Sequence, residues 1–300
     1  MRNPLTQTMT CWRRWSELKS TGFFSAADAR LQIDRVLLPA RFAYQEAGKR
    51  LREQAQIKRI DDRTTRIDLP QHGLHFYWQG PVDNNLYFMI EQEFNEQNPH
   101  CYTTDPIKLS PQSTVLDVGA CEGLFAYRVL KQQLAQQVLC FEPLPSMAKL
   151  IAKGGEEIGL GTALKVEALA VSNLSGPVRL VASDNPDACR IEPCPPENPN
   201  ADATAICLDE YLSKNAIQLS PQDLIKVDAE GTDFAVIEGA RETIRQGHPQ
   251  IAVTTYHDDS HVESISQLLK ELNPDYRFRL KGFSHWTVRP RPVLLQASSL

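Results

Sequence analysis

No apolar run in the sequence approaches a membrane span. Runs such as Val36–Pro39 and Ile251–Val253 fall far short of the roughly 20 residues a bilayer requires. No transmembrane helix is therefore expected. Met1–Met9 holds a single Arg2 with no continuous apolar stretch behind it, so it does not read as a secretory signal, and a cytoplasmic protein is expected. Cysteine is sparse and odd in number: seven residues are scattered along the chain, and the closest pair, Cys189 and Cys194, lacks C-x-x-C spacing. That argues against a disulfide framework or a structural zinc site and for reduced thiols. No internal repeat is present. With 42% hydrophobic and 23% charged residues, the composition is that of an ordinary globular protein rather than a disordered, collagenous or coiled-coil one, and 300 residues suffice to bury a substantial core.

The net charge of −5 conceals an asymmetry: residues 1–80 hold 14 Lys and Arg against 8 Asp and Glu, whereas the remainder is acidic. The basic charges are interspersed with acids rather than blocked, which favours a solvated helical surface over a nucleic-acid or anionic-membrane grip.

Ser25 followed by Asp28 has the form of a capping box, and Ala26–Leu38 reads as a helix stopped by Pro39. A second helix is expected from about Ala40 to Ile60, a β-hairpin over Arg66–Trp78 around Gly73, and a helix over Tyr87–Phe94. From Thr114 onward short Val/Ile/Leu-rich runs alternate with helical stretches, the signature of βαβ units. Strands are expected at 114–117, 137–141, 163–170, 224–227 and 250–256, and helices near 124–134, 146–158, 234–246 and 262–272. A tail hairpin should pair 276–282 with 285–288. Asp184–Asp202, rich in Pro, Asn and Asp, reads as a loop placed to act as a substrate lid.

The densest chemical signal is Val115-Leu116-Asp117-Val118-Gly119-Ala120-Cys121-Glu122-Gly123-Leu124-Phe125, an apolar strand running through two glycines into a helix. Such a turn lets a ligand approach the backbone and meet free N–H groups. A dinucleotide fingerprint fails, because Cys121 and Leu124 stand where its second and third glycines belong, and no P-loop occurs. An acid before the turn repels phosphate but suits the ammonium and sulfonium of S-adenosylmethionine. Glu142, 25 residues on at the next strand end, can accept hydrogen bonds from both ribose hydroxyls, and Pro143 would begin an adenine wall. Each acid alone could be a helix cap or a solvated group. Together, at two consecutive strand ends, they mark a ligand site.

Asp223-Leu224-Ile225-Lys226-Val227-Asp228-Ala229-Glu230-Gly231, with Gly239-Ala240 further on, resembles the FkbM family of S-adenosylmethionine-dependent methyltransferases. Leu116–Gly123, Phe141-Glu142-Pro143, Ala170-Val171-Ser172-Asn173 and Leu208-Asp209 resemble the family's other elements in the same order, over about Thr114–His257. The resemblance implies a Rossmann-like class I methyltransferase fold: α/β, a mostly parallel central sheet with helices on both faces and a C-terminal antiparallel hairpin, from residue 111 to 300. The resemblance does not cover residues 1–80; from the residues themselves, 1–110 is expected to be a mainly helical segment with a short hairpin, a region for acceptor binding or homo-oligomerisation. The resemblance also implies methyl transfer to an oxygen of a sugar or other small metabolite. Its cofactor, S-adenosylmethionine, would be held by Asp117, Gly119, Ala120, Cys121, Gly123, Glu142, Pro143, Ala168 and Tyr102. Asp228 and His257, at the fourth and fifth strand ends, are the candidate bases, with Glu230 third.

Bland alternatives stand beside these: Asp228 and Glu230 could cap a helix, His257 could start one, and Tyr102 could merely pack. His257 and His261 are four apart, yet His257 ends a strand, so no metal is expected; any metal would take an Asp228-centred carboxylate form. Two rival functions remain, a non-catalytic S-adenosylmethionine-binding regulator and a nucleic-acid methyltransferase gripping through the N-terminal helices. The acidic remainder argues against the second.

Overall fold

The computed structural model describes residues 4–36, 52–182, 189–195, 201–284, 287 and 289–300. Its centre is a seven-stranded sheet of β4 (Thr114–Val118), β5 (Gln137–Phe141), β6 (Leu164–Glu167), β11 (Leu224–Val227), β12 (Gln250–Thr254), β13 (Arg277–Phe283) and β14 (Pro292–Ser298). The spatial order is β13-β14-β12-β11-β4-β5-β6. β6, β5, β4, β11 and β12 run parallel, and β14 lies antiparallel between β12 and β13.

Successive strand residues face opposite sides, and each side is covered. Leu116, Val118, Leu139, Ile225 and Val253 pack with α6 (Leu208–Lys214), α7 (Asp233–Glu238), α8 (Arg241–Gly247) and α9 (His261–Leu272). Leu18 and Ala29, from α1 (Pro4–Leu18) and α2 (Ala26–Val36), join that core. Val115, Val138, Cys140 and Leu224 pack the other way, with α3 (Asn84–Phe94), α4 (Leu124–Lys131) and α5 (Pro145–Glu157). This second core also takes in the small antiparallel sheet of β1 (Gln56–Arg59), β2 (Thr65–Leu69) and β3 (Leu74–Trp78). Ser25 caps the helix: its Oγ accepts the Asp28 N–H at 3.0 Å and donates to Asp28 Oδ2 at 2.6 Å, in place of the backbone bond that would complete a capping box.

Several expectations are corrected. The helix expected over 40–60 lies partly outside the described residues, but Gln56–Arg59 is a strand, because Ile57 and its neighbours extend the hairpin by pairing with β2. The strand expected over 163–170 is divided. β6 closes the large sheet, while β7 (Ala170–Val171) joins a separate four-stranded sheet with β8 (Gly176–Ala182), β9 (Cys189–Pro193) and β10 (Ala203–Ile206). β9 lies within the segment read as a loop. It pairs with β8 and puts Ile191 against the small core of Ala170, Val178 and Ala205. The helix near 234–246 is broken into α7 and α8 at Gly239-Ala240, where a Cβ on Gly239 would meet the Ser172 carbonyl oxygen at 2.2 Å. The C-terminal hairpin exists, but its second strand is Pro292–Ser298; His285, Trp286 and Val288 lie outside the described residues.

Candidate active site

The carboxyl ends of β4, β5, β11 and β12 meet at a cavity of about 920 Å³, within the usual range for small-molecule sites. At the β4 end, Gly119 adopts φ 74°. A Cβ there would lie 1.9 Å from the Asp228 carbonyl oxygen, so only glycine lets the turn pass this close to β11. The Gly119 and Ala120 N–H groups donate to the Phe141 carbonyl at 3.0 and 3.2 Å. Glu142 ties the turn to β5: its Oε2 accepts the Cys121 N–H and its Oε1 the Leu144 N–H, both at 3.0 Å. Burial pushes the Glu142 carboxyl up to about 7, and burial does the same to Glu122 beside it.

Gly119, Ala120, Cys121, Glu142, Pro143 and Tyr102 all line the cavity, as do Asp228, Glu230 and His257. Three expected residues do not line it. Ala168 is exposed, and its neighbours Leu169 and Ala170 supply the wall instead. Gly123, φ 79°, starts α4 beneath the turn, against Ile151. Asp117 sits behind the turn, fully buried, with its Oδ1 2.8 Å from Lys226 Nζ.

Register explains that pair. Lys226 of β11 is the cross-strand partner of Asp117, so both side chains leave the sheet on one face. The ammonium also donates to the Gly119 carbonyl at 2.8 Å and lies 5.2 Å from the Tyr102 ring centroid. Burial raises the Asp117 pKa against the opposing pull of Lys226. Burial also works against the Lys226 ammonium, but the Asp117 and Asp228 carboxylates hold its pKa above the ordinary value. Asp117 thus spends its charge on Lys226 rather than on the cavity, and Lys226, to which the sequence reading gave no role, supports the turn. A lysine inside an otherwise apolar central strand was the available signal.

At the β11 and β12 ends, Asp228 Oδ2 accepts the Tyr102 hydroxyl at 2.8 Å, and its Oδ1 has longer contacts with Thr254 Oγ1 (3.2 Å) and the Tyr256 hydroxyl (3.4 Å). His257 Nδ1 lies 2.9 Å from Asp233 Oδ2. Its Nε2 points back toward Asp228 Oδ1 at 3.8 Å and Glu230 Oε2 at 3.5 Å. Burial opposes the imidazolium, yet Asp233 and then Asp228 and Glu230 push the His257 pKa up to about 9. Burial likewise opposes the Asp233 carboxylate, but His257 and the Ala229 N–H bring it down to about 2.

Asp233 is the second residue the sequence reading missed. It opens α7, and its oxygens also take the Ala229 and Gly231 N–H groups at 2.9 and 3.1 Å and Thr254 Oγ1 at 2.9 Å, knitting the turn after β11. Glu230 in that turn has φ 50°, a left-handed conformation unusual for glutamate. His261 begins α9 and brings its Nδ1 to 3.7 Å from Asp233 Oδ2, so the two histidines share one carboxylate. Among the described residues, Asp228, Asp233 and His257 bring potential metal-ligand atoms within 4.8 Å of one another.

The methyltransferase FkbM domain matches residues 117–280, more than half of the chain. No curated protein matches the sequence. Among solved structures, the methyltransferase FkbM from Methylobacillus flagellatus KT is 16% identical with a TM-score of 0.46, covering 88% of this chain and 60% of that one. M. jannaschii TYW2 in complex with AdoMet is 11% identical (TM-score 0.45; 81% of this chain, 88% of that one). The O-methyltransferase from Bacillus cereus in complex with SAH is 12% identical (TM-score 0.38; 73% and 92%). The chain thus spans about 60% of the length of the Methylobacillus protein. With its mostly parallel sheet, antiparallel β14 and cavity at the strand ends, the chain has the Rossmann-like fold of class I methyltransferases and belongs to the FkbM methyltransferase family.

Proposed function

We propose that this protein is an S-adenosylmethionine-dependent methyltransferase acting on a hydroxyl of a sugar or other small metabolite. The observation that carries the reading is that one cavity joins two chemically distinct ends. The Gly119–Glu122 turn with Glu142 forms one, and the Asp228–Glu230–His257 cluster the other. The first end fits the cofactor. Gly119, Ala120 and Cys121 line the cavity, Glu142 presents a carboxylate suited to vicinal ribose hydroxyls, and Pro143, Leu144, Leu169 and Ala170 give an apolar wall for a base. When bound, the cofactor would supply an electrophilic methyl group on a sulfonium.

The second end suits the acceptor. Transfer gains most from orienting the acceptor oxygen and excluding water, and the groups here are held before any ligand enters. Asp228, fixed by the Tyr102 hydroxyl, is the candidate to take the acceptor proton. His257, its ring held by Asp233, is the alternative base, and Glu230 is third.

The test is S-adenosylhomocysteine release with a panel of sugars and hydroxylated metabolites, for the wild type and Asp228→Asn. The expected result is turnover by the wild type and a loss of roughly 10²–10⁴-fold in the variant, with cofactor affinity kept. Equal turnover by the two would remove Asp228 from the reaction.

A further inference from the structure

A cofactor carrying an ammonium and a sulfonium calls for an acid near its positive charges. Asp117 does not supply it, because its fully buried carboxylate is matched by Lys226 at 2.8 Å. Five other carboxylates line the cavity: Glu93, Glu122, Glu142, Asp228 and Glu230. Four of them have partners that occupy them. Glu93 takes the Arg128 guanidinium at 3.2 Å. Glu142 takes the Cys121 and Leu144 N–H groups, both at 3.0 Å. Asp228 takes the Tyr102 hydroxyl at 2.8 Å, and Glu230 lies 3.5 Å from His257 Nε2.

Glu122 differs from these. The residue is only 8% exposed, yet no cation is matched to it. Among the described residues Lys226 is the cation that acts on it, more weakly than the like charge of Glu93. Its donors are its own N–H and the Cys121 side chain, and burial dominates, pushing the carboxyl up to about 7. Capping does not account for the residue either: it precedes Gly123, the cap of α4, and takes its own N–H rather than one from the first turn of that helix. A buried carboxyl with no counter-ion is costly to ionise, and this one opens on a cavity instead of packing into a core. It also stands next in the chain to Cys121, whose N–H Glu142 holds, so the two carboxylates are neighbours along one wall.

We propose that Glu122 receives the α-ammonium of the cofactor's amino-acid arm. The inference rests on the S-adenosylmethionine reading of the cavity. An ammonium donating to a buried carboxylate is a charge-assisted hydrogen bond, and it brings Glu122 the counter-ion that the chain does not provide. Glu122 thereby selects a complete S-adenosyl amino acid over nucleosides that lack the arm. It also couples binding to proton release, since an ammonium beside the carboxyl favours its ionised form.

The experiment is calorimetric titration of the full-length protein with S-adenosylhomocysteine and with 5′-methylthioadenosine, for the wild type and Glu122→Gln. The second ligand keeps the adenine, ribose and thioether but has no amino-acid arm. The variant should lose about 10–100-fold in affinity for S-adenosylhomocysteine, while that for 5′-methylthioadenosine changes less than about twofold. A loss shared by both ligands, or seen with neither, would overturn the inference and leave the cofactor reading standing. No binding of either ligand by the wild type would sink the cofactor reading and this inference with it. Should Glu122→Gln fail to fold, the wild type alone decides, titrated near neutral pH in two buffers of different ionisation enthalpy. S-adenosylhomocysteine should then release up to about half a proton more than 5′-methylthioadenosine, and equal release would overturn the inference.

Discussion

Replacing Lys226 with methionine keeps most of the side-chain volume and removes the charge. In the wild type the ammonium is 2.8 Å from Asp117 Oδ1 and 2.8 Å from the Gly119 carbonyl, inside a sheet where Asp117 is fully buried. The substitution leaves that carboxylate without its counter-ion and the Gly119 carbonyl without its donor. Breaking one side of a buried pair typically costs about 3–5 kcal/mol, which for a chain of this size lowers the melting temperature by roughly 5–8 °C. Urea denaturation at neutral pH measures it. The sign of the pH dependence follows from Asp117, whose pKa burial already raises. Without Lys226 it rises further, so the penalty is full above the folded-state pKa and fades as pH falls and the carboxyl protonates in both states. Asp117→Leu combined with Lys226→Met should recover most of the loss, since an apolar pair replaces an ionic one. A loss below about 1 kcal/mol, the scale of an exposed ion pair, or a loss that does not shrink at lower pH, would refute the claim that this pair supports the turn.

Gly119→Ala places a Cβ 1.9 Å from the Asp228 carbonyl oxygen at φ 74°; a destabilisation of about 2 kcal/mol or more, with cofactor affinity lost, is expected by thermal melting and calorimetry. With Glu142 pushed up to about 7, the carboxylate that would receive the ribose hydroxyls is present above that pH. S-adenosylhomocysteine affinity should therefore fall as pH drops through about 7, and Glu142→Gln should bind more weakly with a flatter profile. Asp233→Asn should cost about 3 kcal/mol in denaturant titrations. Because Asp233 is brought down to about 2 and His257 up to about 9, two edges are expected in the wild type. The aspartate's contribution is complete above its ordinary pKa and disappears as pH falls through about 2. That of the histidine is complete below its ordinary pKa and disappears as pH rises through about 9. The variant should show a smaller alkaline decline, because Asp228 and Glu230 still act on His257.

The alternation of apolar runs and helices from Thr114 onward placed four of the five parallel strands closely, because strands buried on both faces carry Val, Ile or Leu at more than half of their positions. The turn after β4 and the acids ending β5 and β11 were readable for a related reason: close backbone approach and strand-end carboxylates leave local traces. The four-stranded sheet was not read. β7 has two residues, and β9 sits among Pro, Asn and Asp, so tertiary pairing decides these strands rather than their own pattern. Nor could spacing alone show that Asp117 faces Lys226 rather than a ligand. That depends on the register between β4 and β11, more than 100 positions apart in the chain. Asp233 was hidden similarly: in D-A-E-G-T-D it reads as the first turn of a helix, and only folding brings His257 against it.

Whether the cavity holds S-adenosylmethionine is read by calorimetric titration of the purified protein with S-adenosylmethionine and S-adenosylhomocysteine, repeated on Gly119→Ala and Glu142→Ala. Binding in the micromolar range, about −7 to −8 kcal/mol, is expected, abolished by the first substitution and weakened by the second. No binding by the intact folded protein, or binding that neither substitution alters, would contradict that expectation.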